Sequence, residues 1–200
     1  MAKEKGGKKS IDISNLADEN HHYAIHLATF QELISYRHGI FEISDGSILD
    51  AHASVDFWRN ISLSAEILLK ACLLKHEIPF FRKRAHGEYG QKVKAASNPV
   101  LEQMLKEKGI NYIAEINTGT VSTALKSAEE ELFAKIALDQ ISSQLISKMF
   151  YIIIRTRRNR NAHFYFPNQA SIDTAEIEML YLPLLNRLEE IYRLKPNTAK

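Results

Sequence analysis

The sequence predicts an all-α fold: a bundle of about five or six helices around a long central one. Three observations carry that prediction. Apolar residues recur at spacings of three and four over long stretches. Strict apolar–polar alternation, the mark of a half-buried strand, is almost absent. One long stretch is apolar nearly all round, as suits the central helix of a bundle. The 200 residues, 45% hydrophobic, are enough for one domain with a sizeable core. Residues 1–15 open with a lysine- and glycine-rich run and read as a disordered basic tail ahead of a single domain over 16–195.

Taken in order, the first helix is expected over residues 18–36, with Ala24, Ile25, Leu27, Ala28, Phe30, Leu33 and Ile34 inward, ending at Arg37-His38-Gly39. His21, His22 and His26 cluster at its start. His22 and His26 share a face, but no glutamate of a zincin motif and no third ligand accompany them, so they read as surface histidines and no metal site is assigned. Ser44-Asp45-Gly46-Ser47 reads as a turn, and Ser47 with Asp50 as a capping box. The central helix then runs to about residue 76 through Phe57, Trp58, Ile61, Leu68, Ala71 and Cys72. Glu66 and Lys70 lie four apart inside it. They form either a simple helix ion pair or a site in which Glu66 faces and supports a cationic partner.

Pro79 should stop that helix, and Arg82-Lys83-Arg84 follows as a second basic patch, read equally as an extension of an RNA track or as a solvated loop. Residues 89–108 suggest a helical pair broken at Asn98-Pro99, and 109–119 a connector in which Tyr112-Ile113-Ala114-Glu115-Ile116 forms a short strand or a helix turn. A helix over 121–138 places Glu129, Glu130 and Glu131 in solvent and can run on through Asp139 into the next, over 140–166. Pro167 ends that one. Ser171 or Asp173 caps the last helix, which reaches about residue 194, kinked at Pro183.

The functional signal lies in the 140–166 helix. Arg155, Arg157, Arg158 and Arg160 fall within six positions and His163 closes the run, after the apolar Phe150-Tyr151-Ile152-Ile153-Ile154. No acid occurs between Gln140 and Ile172, although the whole chain carries a net charge of only +2. Unopposed positive charge of this kind suits a polyanion. At about 100° per residue, Arg158, Arg155, Asn159 and His163 share one face. Asn159 and His163 are one turn apart, so the amide can orient the imidazole. The competing reading is a solvated basic helix end, favoured by the helix dipole.

Here the chain resembles a known family. Arg158-Asn159-Arg160-Asn161-Ala162-His163 is similar to the Arg-x4–6-His signature of HEPN domains, including the polar residue after the arginine. Ser64-Ala65-Glu66-Ile67-Leu68-Leu69-Lys70-Ala71 resembles the Glu-aliphatic-Lys-Ala helix of the same superfamily. The resemblance spans roughly residues 20–195. It implies an all-α bundle that dimerises, and a metal-independent RNase of toxin–antitoxin, abortive-infection or other antiviral defence systems.

The chemistry of the residues fits that expectation. RNA carries its own nucleophile, the 2′-hydroxyl. Histidine moves protons near neutral pH, and arginine holds a phosphate whose charge grows in the transition state. His163 is therefore assigned as general base or acid, Arg158 as the phosphate holder and Asn159 as the orienting group. Arg155, Arg157 and Arg160 bind flanking RNA, and Glu66, Lys70 and Tyr165 support the site. Expected partners are RNA, a second copy of the chain, and an antitoxin such as a nucleotidyltransferase-like protein. No cofactor is called for. The alternative is a non-catalytic helical module that binds RNA or a protein through the same face.

Other classes find no footing. The single cysteine, Cys72, excludes an internal disulfide and a cysteine zinc site. There is no Gly-rich phosphate loop, no Gly-x-Ser-x-Gly and no His-Glu-x-x-His. No apolar run reaches the roughly 18 residues of a membrane span and no hydrophobic signal region follows the basic start, so a cytoplasmic location is expected.

Overall fold

The computed structural model describes residues 10–44, 50–78, 80–87, 89–153 and 171–195. It is mostly helical, as expected, but it also carries short strands in three two-stranded pairs, of which only the short strand or helix turn at 112–116 was foreseen.

The chain enters as β1 (Ile11–Asp12), which pairs in parallel with β5 (Val93–Lys94). Ile13 is buried behind it, so the chain is part of the domain from Ile11 on, ahead of the boundary expected after residue 15. Helix α1 spans Leu16–Thr29 and buries Ala24, Leu27 and Ala28. It stops well short of residue 36 because Glu32 turns the backbone to φ 60°. A hairpin follows, β2 (Ile34–Arg37) against β3 (Ile40–Ile43), with Ile34 facing Ile43 and Tyr36 facing Phe41. His38 and Gly39 close it at φ 53° and 86°, the paired positive values of a two-residue hairpin turn. Arg37-His38-Gly39 thus turns a hairpin instead of ending a helix.

Helix α2 (Ala51–Lys75) is the central element, within a residue of the expected end. Its N-cap is Asp50, whose side chain accepts from the His52 and Ala53 N–H groups; Ser47 of the expected capping box lies outside the described residues. Phe57, Trp58, Ile61, Leu68, Leu69, Cys72 and Leu73 are all buried, and α2 packs against α1, α4 and α8. The helix ends before Pro79, at His76, and Glu77 follows at φ 59°.

Strand β4 (Arg82–Lys83) pairs antiparallel with β6 (Ile116–Asn117). Only the second half of the expected helical pair forms: α3 (Pro99–Glu107), capped by Asn98 with Pro99 in its first turn, while Val93–Lys94 is strand. Thr120 caps α4 (Val121–Ser127), which passes through a π turn (Ala128–Leu132) into α5 (Phe133–Lys135). The expected run-on through Asp139 does not occur. Ala137 adopts φ 53°, and Asp139 restarts the chain by accepting from the Ser142 N–H, giving α6 (Gln140–Ile153).

After residue 170, Asp173 caps α7 (Thr174–Glu176), a π turn (Ile177–Tyr181) follows, and α8 (Leu182–Arg193) completes the core. Pro183 sits in the first turn of α8, directly after the π turn, where its missing N–H costs least. No helix among the described residues is long and apolar enough to cross a membrane.

Candidate functional site

Arg155, Arg157, Arg158, Asn159, Arg160, His163 and Tyr165 all lie outside the described residues. The structure does describe what leads to them and follows them. Helix α6 sets Ile146, Phe150 and Ile153 into the core, and Ile153 is the last described residue before the tract. The chain is described again at Ser171, whose carbonyl accepts from the indole N–H of the buried Trp58 at 3.2 Å. Both flanks of the arginine-rich stretch are therefore tied to the core, one of them directly to the central helix.

The other face of α6 is unusual. Ile141 is 79% exposed, Leu145 50% and Ile152 44%. Their spacing of four and seven places them in one narrow stripe along the helix, and Tyr151, 57% exposed, stands beside it.

Glu66 and Lys70 are on α2, one turn apart. Lys70 Nζ donates to Glu66 Oε1 at 2.8 Å and lies 3.3 Å from the Gly119 carbonyl and 3.4 Å from Thr118 Oγ1. Only 7% of the Glu66 side chain and 12% of the Lys70 side chain reach solvent. The pair expected from the spacing is real, but it is a nearly buried bridge that reaches the 118–119 turn, not a surface ornament.

A second polar cluster was not foreseen. Glu189 on α8 is 1% exposed. It accepts from Tyr36 Oη at 2.6 Å, from His21 Nε2 at 2.7 Å and from Arg193 Nε at 2.7 Å. Burial alone would raise its carboxyl, but these donors overcome that and bring it down to about 2. The His21 ring stacks on Tyr192 at 4.0 Å. The Tyr192 hydroxyl donates to Asp18, which Lys75 approaches at 3.1 Å. Burial, and after it the Asp18 bond, push the Tyr192 phenol far up; burial does the same to the Cys72 thiol. The cluster fastens α1, the hairpin and α8 together. His21, expected at the surface, is one of its hydrogen-bonding members.

The signal for this cluster was present in the sequence. Glu189 falls one turn after Leu185 and next to Leu188, on the inward stripe of the last helix. An acid in that register has to find donors across the core. Among the described residues no group of three histidines, cysteines or acids is placed to hold a metal. The chain matches no family model, no curated protein and no solved structure.

Proposed function

We propose that the chain is a metal-independent endoribonuclease of the HEPN kind. The observation that carries this reading is the Arg158-Asn159-Arg160-Asn161-Ala162-His163 tract, in a stretch free of acids between Gln140 and Ile172. His163 takes the proton of the RNA 2′-hydroxyl or delivers one to the leaving 5′-oxygen. The 2′-oxygen attacks the adjacent phosphorus, the bond to the 5′-oxygen breaks, and the products are a 2′,3′-cyclic phosphate and a 5′-hydroxyl. Arg158 holds the phosphate as its charge grows, and Asn159 orients the ring or the phosphate. Arg155, Arg157 and Arg160 carry flanking nucleotides.

Two features of the structure support the reading. The nearly buried Glu66–Lys70 bridge stands on the central helix where the family resemblance expects a supporting pair. The apolar stripe of Ile141, Leu145 and Ile152 on α6 supplies a face for a second copy of the chain, whose arginine-rich tract would then lie across a shared cleft. A toxin–antitoxin or phage-defence setting, in the cytoplasm, with a nucleotidyltransferase-like antitoxin, follows from the resemblance.

The test is RNA cleavage by the purified full chain beside Arg158→Ala and His163→Ala. Each variant should lose roughly 10²-fold or more in rate, the scale of acid–base and oxyanion groups, while keeping its far-UV spectrum. RNA binding that survives with no cleavage by any form would favour the non-catalytic module instead.

A further inference from the structure

The basic run at 82–94 does not belong to the arginine-rich tract of the proposed active site, and the structure gives it a form of its own. Arg82 faces Asn117 and Lys83 faces Ile116, while the Arg84 N–H donates to the Glu115 carbonyl at 2.9 Å. Further on, Lys92 faces Tyr112, the Val93 N–H donates to the Asn111 carbonyl at 2.9 Å, and the Ile113 N–H to the Gln91 carbonyl at 3.0 Å. All these contacts run antiparallel along the single stretch 111–117. Residues 82–84 and 91–93 therefore line one stretch of partner backbone as two short cationic segments. Gly87, between them in sequence, lies close against the partner: a Cβ there would stand 2.7 Å from the Ala114 carbonyl oxygen.

Several of the charges on these segments face outward. Arg82, Arg84 and Lys92 are exposed, and none has an ion-pair partner among the described residues. Alternation places Arg82 and Arg84 on one side of their strand. Glu115, on the partner stretch, is turned inward and committed. It accepts from the Asn111 and Tyr112 N–H groups at 2.5 and 2.9 Å, and Lys83 Nζ lies 3.0 Å from its other oxygen. In the sequence 82–94, Glu88 is the only acid. Lys94 is offset by Asp12, which faces it across β1 and β5. An open cleft of about 440 Å³ adjoins, where Lys106 joins Lys94, with Glu102 as its only acid. Tyr89 is 64% exposed.

Exposed cations spaced along an extended backbone, with an exposed aromatic ring among them, suit a single-stranded nucleic acid: phosphates are drawn to the cations and a base stacks on the ring. We propose that the segments 82–84 and 89–94 form a binding surface for single-stranded RNA, carried by residues other than those of the 155–163 tract. The choice of RNA rests on the ribonuclease reading; the surface itself does not.

The test uses the full chain and a labelled 20-nucleotide 2′-O-methyl oligouridine, which has no free 2′-hydroxyl and cannot be cleaved by 2′-attack. Anisotropy is read across a salt series. The triple variant Arg82→Ala, Arg84→Ala, Lys92→Ala should bind at least tenfold more weakly, and its log–log salt slope should be shallower by roughly 2, or about 0.7 per lost phosphate contact. Tyr89→Ala should weaken the oligonucleotide by about tenfold and leave inorganic polyphosphate unaffected, because only the former has bases to stack. Should the triple variant misfold, Arg82→Gln alone should flatten the slope by about 0.7. An unchanged slope, equal loss on polyphosphate in Tyr89→Ala, or no binding by the wild type overturns the proposal. The probe is blind to cleavage, so loss of the ribonuclease reading leaves this result standing, and the reverse holds as well.

Discussion

Glu189 shows how much one side chain decides. It is buried, charged and met by donors from three elements, so its removal strands His21, Tyr36 and Arg193 around an empty place. Removing one partner of a buried ionic cluster costs about 3 kcal/mol or more. We expect Glu189→Ala to lower the unfolding free energy by that amount at neutral pH, measured by urea melts. A loss under about 1 kcal/mol, the range of surface pairs, would show the cluster to be incidental. The same residue gives a pH dependence. Its folded value of about 2 lies below its ordinary 4.5. The folded state then binds its proton less readily than the unfolded chain, so the stabilisation is present above pH 4.5 and fades as pH falls towards 2. Glu189→Gln should flatten the stability curve in that acid window; an unchanged slope there would contradict the assignment. Glu66 is the parallel case on α2. With 7% of its side chain exposed and Lys70 at 2.8 Å, Glu66→Ala should also cost about 3 kcal/mol. A loss below roughly 1 kcal/mol would place the pair with ordinary surface bridges and remove Glu66 as a support for the site.

At the scale of elements, legibility followed length. Helix α2 was read to within a residue of its end because twenty-five residues of apolar density leave few alternatives. Apart from the strand or helix turn allowed at 112–116, the strands were missed because each spans two to four residues, and their partners, such as Ile11 with Val93, lie far off in the chain. Periodicity cannot show so short a run; only the pairing makes it a strand. The hairpin was the exception. Ile34, Tyr36, Phe41 and Ile43 flank His38-Gly39, and that dipeptide was readable as a turn between strands rather than as the end of a helix. The structure also makes this turn testable. Gly39 holds φ 86°, and a Cβ there would fall 2.0 Å from the Arg193 guanidinium. We expect Gly39→Ala to destabilise by about 1–2 kcal/mol, the cost of a side chain in left-handed backbone. Gly39→Ala with wild-type stability would mean that neither the turn nor Arg193 constrains the position. The π turns at Ala128–Leu132 and Ile177–Tyr181 had no sequence signal beyond Pro183 after the second.

For the molecule as a whole, the arginine-rich tract is read from composition and spacing alone; it lies outside the described residues, and the structure describes its two anchored flanks. The exposed stripe on α6 is what the sequence did not disclose in full. Tyr151 and Ile152 stood out beside the tract, but Ile141 and Leu145 joined them only once the buried face of the helix was known. If that stripe seats a second copy, light scattering at low micromolar concentration should give about twice the 22.8 kDa chain mass. Ile141→Asp with Leu145→Asp should return it to one chain mass, with the fold retained. A wild type that stays monomeric at tens of micromolar would remove this assembly.

The central claim is that a histidine and an arginine cut RNA without a metal, and one measurement meets it directly. The full chain is incubated with RNA in excess EDTA, beside His163→Ala, and the new ends are mapped. Cleavage should run at an undiminished rate in EDTA, leave 2′,3′-cyclic phosphate ends, and fall by roughly 10²-fold or more in His163→Ala. Cleavage abolished by EDTA, or full activity in His163→Ala, would contradict it.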